Sequence, residues 1–206
     1  DEKNINSEWS NFFPVASDFK TLSPSNLISY FYSGEAKDLL AKLLLDLGHI
    51  DIFQMHIYYG KITSSILSVL KENNIPVVQT LHEYKLVCPV YTLERNGEVC
   101  EECIGGSVWP AIKNKCKDGS LVKSVLRAAE TKFSRMLGDR DLVDMFISVS
   151  HFHRDKMIEG GIPADKIVTL HNFVDTEKIV PVYGGNYGLY FGRIEELKGI
   201  KTLLDA

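Results

Sequence analysis

The apolar positions of this chain alternate between two spacings, one suited to helices and one to buried strands. From Ser33 to Leu47 the residues Ala36, Leu39, Leu40, Leu43, Leu44 and Leu47 recur at helical intervals, with Ser33 placed as a cap and Gly48 as a stop. Residues Ile50 to His56 predict a strand, and Ile62 to Leu70 a helix closed by Asn73-Asn74. Val77 to Leu81 is a short, near-continuous apolar run that stops at His82, the pattern of a strand buried on both faces. A long helix is predicted from Ser120 to Leu137, with Leu121, Val125, Leu126, Ala129, Phe133 and Leu137 on one side. Met145 to Ser150 predicts a further strand, whose final serine can cap a helix starting at His151 and ending at Gly160-Gly161. Ile167 to His171 follows as a strand. The polar, glycine-rich stretch from Pro181 to Gly188 reads as a linker, with a strand at Leu189-Tyr190-Phe191 and the start of a helix beyond it.

This alternation predicts an α/β fold with a doubly wound parallel sheet. Residues 1–33 do not join it: they are aromatic and polar without a clean period, and Pro14 and Pro24 interrupt them. No first strand with its helix is found there, so the fold is expected to be entered part-way. The expected layout is a domain over residues 1–180, a linker over 181–187 and the beginning of a second domain over 188–206. In open parallel sheets ligands gather outside the carboxyl ends of strands, which makes His82 the first candidate for chemistry and His56 a weaker one for the same place. His151, His153 and His171 are expected at the surface or at a helix start.

Composition narrows the classes. Of the 206 residues, 45% are hydrophobic and 24% charged, an ordinary globular balance, and the net charge of −4 argues against a nucleic-acid binder. No apolar run approaches the roughly 18 residues of a spanning helix. The N-terminus shows no basic segment followed by an apolar one, so a cytoplasmic location is expected. The four cysteines, Cys88, Cys100, Cys103 and Cys116, are confined to one loop region. Without an export signal, that grouping favours thiols or a metal over a disulfide framework. Cys100-x2-Cys103 has the spacing of a zinc knuckle, and Cys88 and Cys116 could complete a four-thiolate set; buried free thiols or a disulfide remain open, because the second half is not another Cys-x2-Cys pair. Between Lys113 and Arg135 the chain is locally basic, with Trp109 just upstream, a pattern shared by solvated helix faces and by segments that dock on anionic lipid.

Three segments together resemble the family 4 glycosyltransferases, retaining two-domain enzymes of the GT-B fold. They are Thr80-Leu81-His82-Glu83-Tyr84 with Cys88-Pro89; Ile147-Ser148-Val149-Ser150 with Gly161-Ile162-Pro163, Lys166-Ile167-Val168 and Asn172-Phe173-Val174-Asp175; and Phe191-Gly192-Arg193 with Glu196, Lys198 and Gly199. The likeness spans roughly residues 48–206 and places most of the chain in a Rossmann-like acceptor-side domain. Phe173 stands where the family has a glycine. The glycine-rich turn after the first strand and the Glu-x7-Glu element of the donor domain are both missing, so a fold truncated at both ends, inactive by itself, is expected.

The resemblance implies transfer of a sugar from a nucleotide diphosphate sugar to a hydroxyl acceptor on a glycan or a lipid, in polysaccharide or glycolipid assembly. It implies that His82 touches the transferred sugar or acceptor and supports charge in the transition state, and that Arg193 and Lys198 neutralise the diphosphate with no catalytic metal. Retaining transfer needs no thiolate, which leaves the cysteines, if they bind anything, to a structural zinc. Many such enzymes meet lipid-linked acceptors at the inner membrane face, which gives the basic segment a reading as a peripheral anionic-membrane contact. Two alternatives stand beside this one: a sugar-nucleotide epimerase on the same architecture and a non-catalytic, zinc-stapled interaction module.

Overall fold

The computed structural model describes residues 24–60, 62–177, 180, 183–195 and 198–206. The chain divides into two compact units, Asp1–Asn172 and Phe173–Ala206. The aromatic segment Trp9 to Phe19, Pro14 and Glu196 lie outside the described residues, as does the start of the expected linker.

The first unit is built on a parallel four-stranded sheet flanked by helices, with strand order β1-β2-β5-β6. Its strands are β1 (Phe53–Met55), β2 (Val77–Leu81), β5 (Met145–Ser148) and β6 (Ile167–Thr169). Thr80 stands opposite Ile147 and Leu81 opposite Ser148, so the central pair ends in step. Asp144 pins the other end: its carboxylate accepts the Val77 amide at 2.8 Å while its own amide donates to the Val77 carbonyl at 2.9 Å. Helices α2 (Gly34–Leu47), α3 (Ser65–Glu72) and α6 (His151–Glu159) supply much of the remaining core. Leu40, Leu44, Leu67 and Leu70 pack with Met55, Val77, Leu81, Phe146 and Met157 in one buried cluster. Each such side chain contributes about 1.5–3 kcal/mol by leaving water.

Capping fixes the helix starts where the sequence placed them. Ser33 accepts the Ala36 amide ahead of α2, and Ser150 accepts the His153 amide ahead of α6. Helix α3 begins three residues later than its apolar spacing predicts. The Tyr58 carbonyl takes the amides of Ile62 and Thr63, and Thr63 adopts a left-handed backbone (φ 66°) that no helix continues. The Thr63 hydroxyl in turn accepts the Ser33 amide at 3.0 Å, tying that turn to the start of α2.

Several elements differ from expectation. Pro24 opens a helix, α1 (Pro24–Phe31), where its missing N–H costs nothing. The strands predicted over Ile50–His56, Met145–Ser150 and Ile167–His171 are each shorter. A two-residue hairpin, β3 (Glu94–Arg95) and β4 (Glu98–Val99), turns at Asn96-Gly97, both with positive φ. A short helix, α4 (Trp109–Lys113), precedes α5 (Leu121–Met136). Helix α5 buries Ser124, Ala128, Glu130, Thr131 and Ser134, and turns Leu121, Val122, Val125 and Met136 outward. Its apolar side is therefore the outer side.

In the second unit, Leu189-Tyr190-Phe191 is not a strand. Phe191 is 97% exposed and Leu189 82%, and no neighbouring strand is present among the described residues of that unit to form a ladder with them. The helix expected beyond is present as α7 (Ile200–Asp205).

Candidate active site

The four parallel strands end at one edge of the sheet, and histidines follow their carboxyl ends. His56 comes directly after β1 and His82 directly after β2. His56 Nδ1 lies 2.8 Å from His82 Nε2, with ring centroids 5.1 Å apart and planes inclined by 22°. One ring donates and the other accepts, so at least one must keep a lone pair on its facing nitrogen. Both side chains are exposed. The pair is thus a proton-holding contact open to a ligand, at the place where the sheet's geometry collects ligands.

The histidines beyond β5 and β6 form a second group. His171 Nδ1 donates to the Val149 carbonyl at 3.0 Å, and its ring meets that of His151 edge-on at 5.4 Å. His153 stands in the first turn of α6, as expected of a helix-start residue, but its ring is buried, edge-on to the Tyr84 ring at 4.7 Å. Burial pushes its pKa down, partly opposed by a backbone hydrogen bond at Glu83, and charge on His82 acts in the same direction as burial. The helical periodicity of α6 places His153 and Met157 on its inner face, a position that a cap assignment by itself does not reveal.

The segment after His82 is held from beneath by charges that sequence reading missed. Lys85 is 3% exposed. Its ammonium donates to the Glu130 carboxylate in a short ion pair, to the Thr131 hydroxyl at 3.0 Å and to the Pro89 carbonyl at 3.2 Å. The Leu86 carbonyl accepts from Arg135 at 3.2 Å and also from Arg140, whose other nitrogen donates to the Gly160 carbonyl at 2.9 Å. Asp139 lies near both arginines; burial pushes its carboxyl up to about 6 although their charges oppose the shift. Glu83, next to His82, is also pushed up by burial, against the pull of Lys85 and Arg127. Since isolated charges are rarely buried, the sequence-level signal was weak: Lys85 is a lone lysine in an otherwise apolar run.

The loop between β2 and α5 brings the four cysteines to one place. Cys88, Cys100, Cys103 and Cys116, all free thiols, line a common small pocket with Pro110 and Ala111. Burial pushes the Cys103 thiol up to about 11, and charge on Cys88, Cys116 or Cys100 adds to the shift, while a hydrogen bond from the Ala111 amide opposes it. Arg193 and Lys198 belong to the second unit. Arg193 is exposed and pairs with Glu195 at 3.0 Å, and the Lys198 amide donates to the Glu195 carbonyl at 2.9 Å. Among the described residues, no helix is long and apolar enough to cross a membrane.

The comparisons with known proteins agree with this architecture. A family profile described as Glycosyltransferase Family 4 matches residues 5–178, well over half of the chain and all of the sheet. No curated protein matches the chain significantly, and no solved structure does. With the parallel sheet, the histidines at its carboxyl edge and this match, the chain belongs to glycosyltransferase family 4.

Proposed function

We propose that this chain supplies the acceptor-side half of an enzyme that moves a sugar, with retention at the anomeric carbon, from a nucleotide diphosphate sugar to a hydroxyl on a glycan or lipid-linked acceptor. The observation that carries the reading is the His56–His82 contact at the carboxyl ends of the neighbouring strands β1 and β2. In it, His56 fixes which His82 nitrogen bears the proton, and His82 offers a hydrogen bond where charge develops on the reacting sugar. Fixed donors act most strongly at such a point when water is excluded. The departing diphosphate gains negative charge, and Arg193 and Lys198 are the cations assigned to it; the guanidinium can grip two phosphate oxygens at once. No step calls for a catalytic metal.

The outward face of α5 supports a lipid-linked acceptor met at the cytoplasmic side of an anionic membrane. Val125, Ala129 and Met136 border an open apolar groove of about 430 Å³ with Phe31 and Phe133. Trp109 is 64% exposed, and Lys113, Lys123 and Lys132 stand on the same two helices as exposed basic residues. Each lysine near an anionic surface adds about 1 kcal/mol of attraction. Liposome flotation tests this part: binding that grows with anionic lipid and falls with salt is expected, and equal, negligible binding to neutral and anionic vesicles would remove it.

The transfer itself is tested by nucleoside diphosphate release from a panel of sugar nucleotides by the full-length gene product, with His82→Ala and Arg193→Ala alongside. Release that requires one donor and an acceptor, and collapses in both variants, is expected. Conversion of the donor sugar without net release of diphosphate would indicate the epimerase reading instead.

A further inference from the structure

We propose that Cys88, Cys100, Cys103 and Cys116 form a structural zinc site, a single tetrahedral Zn²⁺ held by four thiolates, which staples the loop between β2 and α5. The proposal is independent of the sugar-transfer reading.

Buried charge seats the start of that loop through Lys85 and Leu86, but the part from Val90 onward has little regular structure. Its regular structure is confined to two two-residue strands and a five-residue helix. Tyr91, Leu93, Asn96, Lys115 and Asp118 all hold positive φ within it. For Tyr91, Leu93 and Lys115, whose side chains disfavour that region, such conformations persist only where surrounding contacts over-determine them. Buried apolar side chains (Val90, Leu93, Ile104, Val108) supply some of that constraint, but the cysteines occupy the point where the turns converge.

Each cysteine is presented by a separately fixed turn. The Cys88 amide donates to the Tyr84 carbonyl at 2.8 Å, and the Cys88 carbonyl accepts from Tyr91 at 2.9 Å. The Cys100 amide donates to the Leu93 carbonyl at 2.9 Å, and the Cys116 amide to the Ala111 carbonyl at 3.1 Å. The Cys100-Glu101-Glu102-Cys103 turn is anchored by both of its outward side chains. Glu101 reaches Lys156 of α6 at 2.7 Å, and Glu102 reaches Arg95 at 2.9 Å and Asn114 at 3.1 Å. The Cys103 carbonyl then accepts the Gly106 amide at 3.0 Å, closing the tight turn that a knuckle requires.

The surroundings suit thiolates bound to a dication. The Ala111 amide is directed at the Cys103 sulfur, the outer-shell hydrogen bond that tunes a metal thiolate. Arg95, paired with Glu102 beside Cys103 at 2.9 Å, brings positive charge to the same loop. Among the described residues no group of three or more metal-ligating side chains already stands at binding geometry, so the ion must draw the sulfurs inward from their shared pocket. Binding replaces four S–H bonds by four Zn–S bonds and releases four protons, so affinity rises with pH. The soft, all-sulfur donor set selects zinc over magnesium or calcium.

The test is metal analysis of the full-length protein purified without chelator or metal-affinity resin, together with thiol counting. About one zinc per chain is expected, with thiols that react only after the metal is released. Cys100→Ser and Cys116→Ser should each lose the zinc and lower the melting temperature. Should those variants fail to fold, cobalt titration of the chelator-stripped parent serves instead, and must give the intense visible absorption of a tetrahedral cobalt thiolate. Three results would overturn the proposal: substoichiometric zinc with four freely reacting thiols, disulfides between these cysteines by mass spectrometry, or iron with acid-labile sulfide.

Discussion

Removing the Lys85 ammonium tests whether the loop after His82 is seated by buried charge. In Lys85→Met the apolar stem is retained and the charge is lost. Glu130, 5% exposed, is left as a buried carboxylate without its ammonium partner, and the Thr131 hydroxyl and Pro89 carbonyl each lose a hydrogen bond. Breaking one side of a buried pair costs about 3–5 kcal/mol, because the remaining charge is uncompensated. The two neutral hydrogen bonds contribute about 1 kcal/mol each at most, and part of that is already counted in the pair. A net loss of about 4 kcal/mol is expected. With a urea slope of about 2 kcal/mol per molar, the unfolding midpoint should fall by roughly 2 M.

The double variant Lys85→Met/Glu130→Leu separates pairing from packing. Replacing both charges by apolar groups of similar volume is often close to neutral, so the double variant should lie within about 1–2 kcal/mol of the parent. Urea unfolding followed by far-ultraviolet circular dichroism gives both numbers. If Lys85→Met costs less than about 1 kcal/mol, or the double variant costs the sum of the two singles, the pair does not organise this loop.

Three further predictions concern Asp139, Gly160 and His56. Asp139 holds its proton up to about pH 6 in the folded state against a usual value of 3.8, so its share of stability is complete below about pH 4 and is lost as pH rises through 6; Asp139→Asn should match the parent at pH 4 and exceed it by up to about 3 kcal/mol at pH 7.5 in urea melts. A methyl added at Gly160 would sit 2.1 Å from Val87 Cγ1, so Gly160→Ala should cost about 1–3 kcal/mol by overpacking, and Val87→Ala in the same chain should recover much of it in thermal melts. His56→Ala should lower the kcat of sugar transfer roughly tenfold, the equivalent of one hydrogen bond; His56→Asn, which keeps a polar partner for His82, should restore part of it, and an unchanged kcat in His56→Ala would remove His56 from the site.

The parts of the fold that were legible in the sequence are those that local chemistry decides. Ser33 and Ser150 cap helices because a short hydroxyl side chain can reach an amide two or three residues on, and Val77–Leu81 is a strand in both readings because a β-branched run has few other uses. His82 could be placed at a strand's carboxyl end for the same reason. What was not legible depends on partners distant in sequence. Nothing local to Lys85 announces Glu130, 45 residues away, and nothing local to His153 announces the Tyr84 ring. The Asn96-Gly97 hairpin is the exception: its turn signal was present in the sequence, but its strands are too short to show any alternation.

Helix α5 shows most clearly what periodicity leaves undecided. Apolar spacing fixes which residues share a side of a helix, and Leu121, Val125, Ala129 and Phe133 do share one, but it does not say which side the rest of the protein claims. Here the claim is made by charge. Lys85 enters the interior from the β2 loop and requires a carboxylate, and Glu130 supplies it from a face that also carries Ser124, Thr131 and Ser134, the last within hydrogen-bond reach of Ser64 ahead of α3. Turning α5 over would bury more leucine and valine, but would strand that lysine in the interior. A buried unpaired ammonium costs several kcal/mol, and Ser124, Thr131 and Ser134 would lose their inward hydrogen-bond partners as well, which together oppose the gain from burying those apolar side chains. The polar face therefore goes inward, and the apolar face is left outward on the same unit that carries His82, where a lipid-linked acceptor would give it a use.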